Sequence, residues 1–134
     1  MRESDGVTAE PESPADSGVR LAQEYLRLVQ DDRPDDAEAL LAEPADPREV
    51  VFLGAGFTTL ARRTGRSLPT AMRAQASTRQ IRLAQLRDAN RRDVEGLRTW
   101  LREAAEELVT VTRLAEAARL RLGPPSVYGA PGPG

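Results

Sequence analysis

The chain has 134 residues, enough for a single domain with a core of modest size. It contains no cysteine, no histidine and no lysine, all 19 basic residues being arginine, which excludes disulfides, thiolate or imidazole sites, Schiff-base chemistry and a P-loop lysine. The net charge of −2 is unevenly spread: residues 1–50 hold 14 acidic residues against 5 arginines, whereas residues 51–134 hold 14 arginines against 7 acidic residues. Charge divided in this way suits an anionic partner for the basic half, or an acidic half that lies against the basic half of the same chain or of a second copy.

The first residues, MRESDGVTAEPESPADSG, have no apolar stretch of the kind that marks a secretory signal, and no run of about 18 apolar residues occurs anywhere. A cytoplasmic protein is therefore expected. Residues 1–16 combine proline, serine and acid with little to bury and are expected to be disordered. Leu21, Tyr25, Leu28 and Val29 then recur at helical spacing, predicting a helix over 18–30. The DDRP turn follows, and Pro34 opens a helix over 34–43 that Pro44 stops.

At Asp46-Pro47-Arg48-Glu49 an aspartate cap, a first-turn proline and a glutamate able to reach back predict a helix over 47–64. VVFLGAGF is apolar on nearly every side, which places this helix at the centre of a bundle. Gly54 and Gly56 would let a neighbouring helix approach closely. The alternative, a nucleotide loop at GAG, has no preceding strand. Gly65 is expected to end the helix in the left-handed conformation and Ser67 to cap the next one.

From about residue 68 to 122 the pattern reads as one long helix, straight or kinked. From Leu97 its apolar positions step by 4, 3, 4, 3, 4, 3, 4, a heptad rhythm. A helix of that length would extend about 80 Å, so it either projects and pairs with a second chain or breaks near DANRRDVEG and folds back. The projecting, dimerising form is the leading expectation. Residues 123–134, rich in proline and glycine, are expected to be a flexible tail. The expected fold is thus all-α, a small helical bundle followed by a coiled-coil-like helix, with residues 17–122 forming one helical domain.

Two sets of residues are candidates for function. Leu97, Trp100, Leu101, Leu108 and Val111 form the seam through which the long helix would self-associate or dock a helical protein, with Trp100 as the anchor. The second lies in LARRTGRSLPTAMRAQ, residues 60–75. Its L-A-R-R-T-G-x-S-x-x-T-x-x-R pattern resembles the helix-turn-helix of MerR-type and LacI-type regulators. That resemblance implies that Arg66, Ser67, Thr70 and Arg73 approach phosphates or base edges, with Arg62 and Arg63 near the backbone of the DNA. The same residue types also serve as a helix C-cap followed by an N-cap, with no ligand at all. Arg73, Arg79, Arg82, Arg87, Arg91 and Arg92 extend the basic character along the helix, although Asp88 is placed to pair with Arg92.

No catalytic, cofactor or metal site is expected, and no small-molecule substrate is implied. Asp31, Asp32, Asp35 and Asp36 read as turn and cap residues, and Glu103, Glu106 and Glu107 have no assignable partner. The expected function is a non-enzymatic interaction or oligomerisation module, the alternative a DNA-binding regulator.

Overall fold

The computed structural model describes residues 13–122, in which five helices follow one another: α1 (Pro14–Gln30), α2 (Pro34–Ala42), α3 (Pro47–Gly65), α4 (Thr70–Ala89) and α5 (Val94–Leu122). There is no strand among the described residues. The expected disordered ends fall outside them, except for Ser13 and for residues 14–16, which belong to α1. Ser13 caps that helix, its hydroxyl accepting the Asp16 amide at 3.1 Å.

Helix α1 ends in a Schellman arrangement. The amide of Arg33 reaches the Leu28 carbonyl at 2.9 Å and that of Asp32 reaches the Val29 carbonyl at 3.1 Å. Asp32 occupies the left-handed position usually given to glycine, with φ 59°. Pro34 opens α2 and Asp46 caps α3, accepting the Glu49 amide at 2.9 Å. Glu49 reaches back one residue further than a standard capping box, to the Ala45 amide at 2.7 Å.

The glycines of α3 set the packing. Gly56 crosses Gly18 of α1 so closely that a Cβ on Gly56 would lie 2.1 Å from the Gly18 carbonyl carbon. Gly54 lies under the indole of Trp100, where a Cβ would sit 2.2 Å from the ring. Helix α2 doubles back along α1 after the three-residue turn, Leu21 sharing a depression with Leu40 and Glu43, and α3 doubles back again along α2, so α1 runs parallel to α3. The rings of Tyr25 and Phe57 meet edge-on between them, 5.2 Å apart. Gly54 faces Trp100 and Gly65 faces Val111, so α3 and α5 run parallel.

The long helix expected from residue 68 is two helices. The chain turns at residues 90–93 and α5 returns along α4, with Arg79 opposite Glu107 near one end and Asn90 against Gly96 at the other. Three residues make the break. Asn90 leaves helical geometry at φ −116°, ψ 23°, and its side-chain amide donates to the Leu86 carbonyl at 2.8 Å. Asp93 accepts the Glu95 amide at 3.2 Å and so opens α5. Gly96 lets the turn close, since a Cβ there would lie 2.1 Å from the Asn90 side-chain oxygen.

Folding back changes the meaning of the heptad seam. Leu97, Trp100, Leu101, Leu108 and Val111 are each at most 1% exposed within the single chain. All but Val111 pack in one core with Val50, Leu53, Phe57 and Ala61 of α3, and Val111 closes a smaller cluster with Leu68 and Ala76. The expected association surface is therefore interior, because α3 occupies the place assigned to a second chain. Helix α4 contributes little to this interior, with only Ala76 and Leu83 buried.

Candidate functional site

Because α3 and α5 are parallel, both carboxyl ends meet at one end of the bundle, where α4 begins. The carbonyl ends of two helices carry partial negative charge, and basic side chains in the last turns complement it: Arg62 and Arg63 on α3, Arg119 and Arg121 on α5. Seven acidic side chains lie on α2 and on the turns that flank it. The expected neutralisation of one half of the chain by the other is represented there by Glu38 of α2, which binds Arg102 of α5 at 2.6 and 3.0 Å.

The six residues of the helix-turn-helix-like stretch all lie at the basic end and all are exposed. Two depressions flank the α3–α4 turn. One, of about 330 Å³, has Arg62, Arg66 and Arg73 on its rim and Gly65, Ala76 and Ile81 among its apolar walls. The other, of about 750 Å³, lies between the turn and α5 and includes Arg63, Ser67, Glu116 and Arg119. Among the described residues, Arg62, Arg63, Arg66 and Arg119 have no carboxylate partner. Arg73 donates to the Thr70 hydroxyl at 3.3 Å.

Local geometry departs from the expected cap chemistry. Gly65 is not in the left-handed region, and Arg66 continues at φ −63°, ψ −22°. Ser67 turns back, its hydroxyl donating to the Thr64 carbonyl at 3.0 Å, and Pro69 rather than Ser67 precedes α4 without a side-chain cap. Helix α3 runs parallel to α5 and α4 antiparallel to it, so α3 and α4 form a hairpin. In the helix-turn-helix of DNA-binding proteins the two helices cross at about 90–120°.

The remaining arginines of α4 are mostly engaged. Arg79 donates to Glu107 at 2.6 Å, and Glu107 is the one buried charged residue among those described, 7% exposed. The other carboxylate oxygen of Glu107 and one terminal nitrogen of Arg79 are buried without a hydrogen-bond partner. A cleft of about 300 Å³ beside them is lined by Arg82, Glu103, Glu106 and Thr110. This pair clamps a polar helix to the core, which gives Glu107 the partner that spacing alone did not supply. Asp88 pairs with Arg87 and Arg91 at 3.1 and 3.5 Å rather than with Arg92. Asp36 is held by Arg33 at 2.8 Å, and no group of three acidic side chains able to hold a metal ion occurs among the described residues.

Sequence reasoning did not connect Arg119 to the turn, 52 residues away. Only the parallel register, with Gly65 level with Val111, brings the last turns of α5 beside Ser67 and Pro69. No helix among the described residues is long and apolar enough to cross a membrane. No protein-family model matches the chain. Comparison with curated proteins gives no match either. Comparison with solved structures likewise gives none.

Proposed function

We propose that the protein is a non-enzymatic helical interaction module of the cytoplasm that engages a partner protein through its basic end. The observation that carries this reading is the set of unpaired arginines around the α3–α4 turn, Arg62, Arg63, Arg66 and Arg119, when Arg33, Arg79, Arg87 and Arg102 all have carboxylate partners. Arginine presents a planar fork suited to carboxylates, so an acidic segment of another protein is the matching chemistry. The two depressions beside the turn add apolar walls that a partner's side chains can fill. Absence of histidine, cysteine and lysine from the sequence supports a binding role over catalysis. Oligomerisation through the α5 seam would require α3 to be displaced, so the basic end is the better-supported surface.

The second reading is DNA binding, favoured by the exposure of Arg66, Ser67, Thr70 and Arg73 together at the start of α4. Fluorescence anisotropy separates the two. A labelled polyglutamate peptide and a labelled GC-rich duplex are each titrated with the protein at several salt concentrations. Peptide binding lost in Arg66→Glu supports the module. Duplex binding that falls steeply with salt and is lost in Arg73→Glu supports the regulator. Binding of neither, even at low salt, refutes the basic end as a partner surface.

A further inference from the structure

We infer that two copies of this chain join end to end about a two-fold axis, the acidic α1–α2 turn of each copy meeting the basic α3–α4 turn of the other. The inference rests on the basic end being a protein-binding surface and names a second copy as the partner. Placement, pairing and symmetry converge on it.

Placement follows from the helix directions. Helix α1 is parallel to α3, so the α1–α2 turn and the α3–α4 turn lie at the same end of the bundle. From the Gly18–Gly56 crossing, α1 continues about 18 Å to Gln30 and α3 about 14 Å to Gly65, which brings both turns to nearly one level. Helix α2, antiparallel to α5 and tied to it through Glu38 and Arg102, starts at that same end.

Pairing leaves both turns unmatched. Asp31, Asp32 and Asp35 are exposed and belong to no ion pair among the described residues, and the same holds for Arg62, Arg63 and Arg66. Neither turn is free to swing across to the other. The Arg33 amide is tied to the Leu28 carbonyl at 2.9 Å, and the Leu68 amide to the Gly65 carbonyl at 3.1 Å.

Symmetry supplies the missing partner. A surface that carries a negative and a positive turn side by side is complementary to itself after a half-rotation. Each acidic turn then meets a basic one, so one encounter forms both contacts, and assembly stops at the dimer. One exposed ion pair is weak, but several carboxylates facing arginine forks at two equivalent contacts act together. Apolar contact is available beside them. Pro34 is exposed between the aspartates, and Leu68, Pro69 and Ala115 wall the depression next to the basic turn.

The test is sedimentation velocity on the full chain from about 10 μM to about 1 mM, the range suited to a small charged interface. The unaltered chain should form a dimer, and nothing larger, that dissociates in about 0.5 M sodium chloride. Asp31→Arg with Asp35→Arg, and Arg63→Glu with Arg66→Glu, should each weaken the dimer at least about tenfold, because like charges then meet at both contacts. Mixed in equal amounts, the two variants should pair as tightly as the parent, since every contact between them is again of opposite charge. A chain with all four changes should likewise self-associate as the parent does. If circular dichroism shows that a reversal disturbs folding, Asp31→Asn with Asp35→Asn and Arg63→Gln with Arg66→Gln take its place, each expected to weaken the dimer about threefold. A chain that stays monomeric throughout overturns the inference, as does growth beyond two copies, a dimer that neither set of changes weakens, or folded reversed variants that do not pair when mixed. The polyglutamate titration, run below the dimer range, tests the underlying surface separately. A chain that binds the peptide but never dimerises keeps its partner surface and loses only the second copy.

Discussion

Replacing Gly54 by alanine tests the packing of α3 against α5 through its sign. Inside an exposed helix this change stabilises by about 1 kcal/mol, because alanine has the higher helix propensity. Here the new methyl would lie 2.2 and 2.3 Å from two ring carbons of Trp100, where carbon–carbon contacts settle at about 3.5–4.0 Å. Relief needs a movement of more than about 1 Å by a ring that is 1% exposed and held between two central helices. Overpacking costs about 1–3 kcal/mol, and contacts this short belong to the upper part of that range, about 2–3 kcal/mol, which exceeds the propensity gain. The expected result is a net loss of about 1–2 kcal/mol, a fall in Tm of at least roughly 4 °C for a domain of this size. Gly65→Ala is the matched control. Its Cβ would meet only Val111 Cγ1 at 3.9 Å, an ordinary contact, so it should be neutral or stabilising by up to about 1 kcal/mol. Urea and thermal unfolding followed by circular dichroism and by the fluorescence of the single tryptophan give both values. A Gly54→Ala protein as stable as the parent would refute the placement of Trp100 on α3.

Other substitutions probe other parts of the argument. Trp100→Ala and Leu108→Ala should each destabilise the monomer, by about 3–5 and 2–5 kcal/mol in urea unfolding. Loss of self-association with unchanged stability would return these residues to an interface. Glu107→Gln leaves Arg79 without its counter-charge. Since Arg79 is 31% exposed, the expected loss is about 1–3 kcal/mol, below that of a fully buried pair. Arg79→Met combined with Glu107→Leu should recover most of it, and a double variant no better than the single would contradict the clamp. Asp32→Gly should raise stability by about 0.5–1 kcal/mol by removing side-chain crowding at φ 59°, measured as a shift of the urea midpoint. The hydrogen bond from Arg102 holds the Glu38 carboxyl below the ordinary glutamate value of 4.5. A depressed carboxylate contributes stability above its unfolded value and loses it as pH falls through the folded one. With both side chains more than half exposed the effect is about 0.2–1 kcal/mol. It should appear in the parent but not in Glu38→Gln below about pH 4.5, and shrink in 1 M salt.

Local chemistry was legible wherever a residue acts on its own neighbours. Asp46 and Pro47 announce α3, Pro34 announces α2, and the apolar girth of VVFLGAGF announces a central helix with room at its glycines. What periodicity cannot supply is the identity of the element that covers an apolar face. The rhythm from Leu97 onward is the same whether a second chain or α3 lies against it, and Gly54 under Trp100 decides the matter only in three dimensions. The break at residues 90–93 was signalled by Asn90 and Gly96, but helical spacing continues through Leu83, Leu86, Val94 and Leu97 and hides it. The contact of Gly96 with Asn90 that closes the turn depends on α5 folding back. The basic end was half visible. Its α3 and α4 arginines lie within twelve residues of one another in sequence, whereas Arg119 arrives through a parallel register that no local pattern encodes.

Two helices that lie side by side and point the same way cannot be joined by a short loop. The chain must travel from the far end of α3 back to the level where α5 starts, about 25 Å at 1.5 Å per residue, and α4 with its 20 residues covers that distance. Helix α4 is in this sense a spacer cut to measure. With so little of its surface buried, its composition is loosely constrained, while its length is not. Removing two turns would draw α5 about 11 Å out of register and take Trp100 off Gly54, whereas most exposed positions along it are free to change.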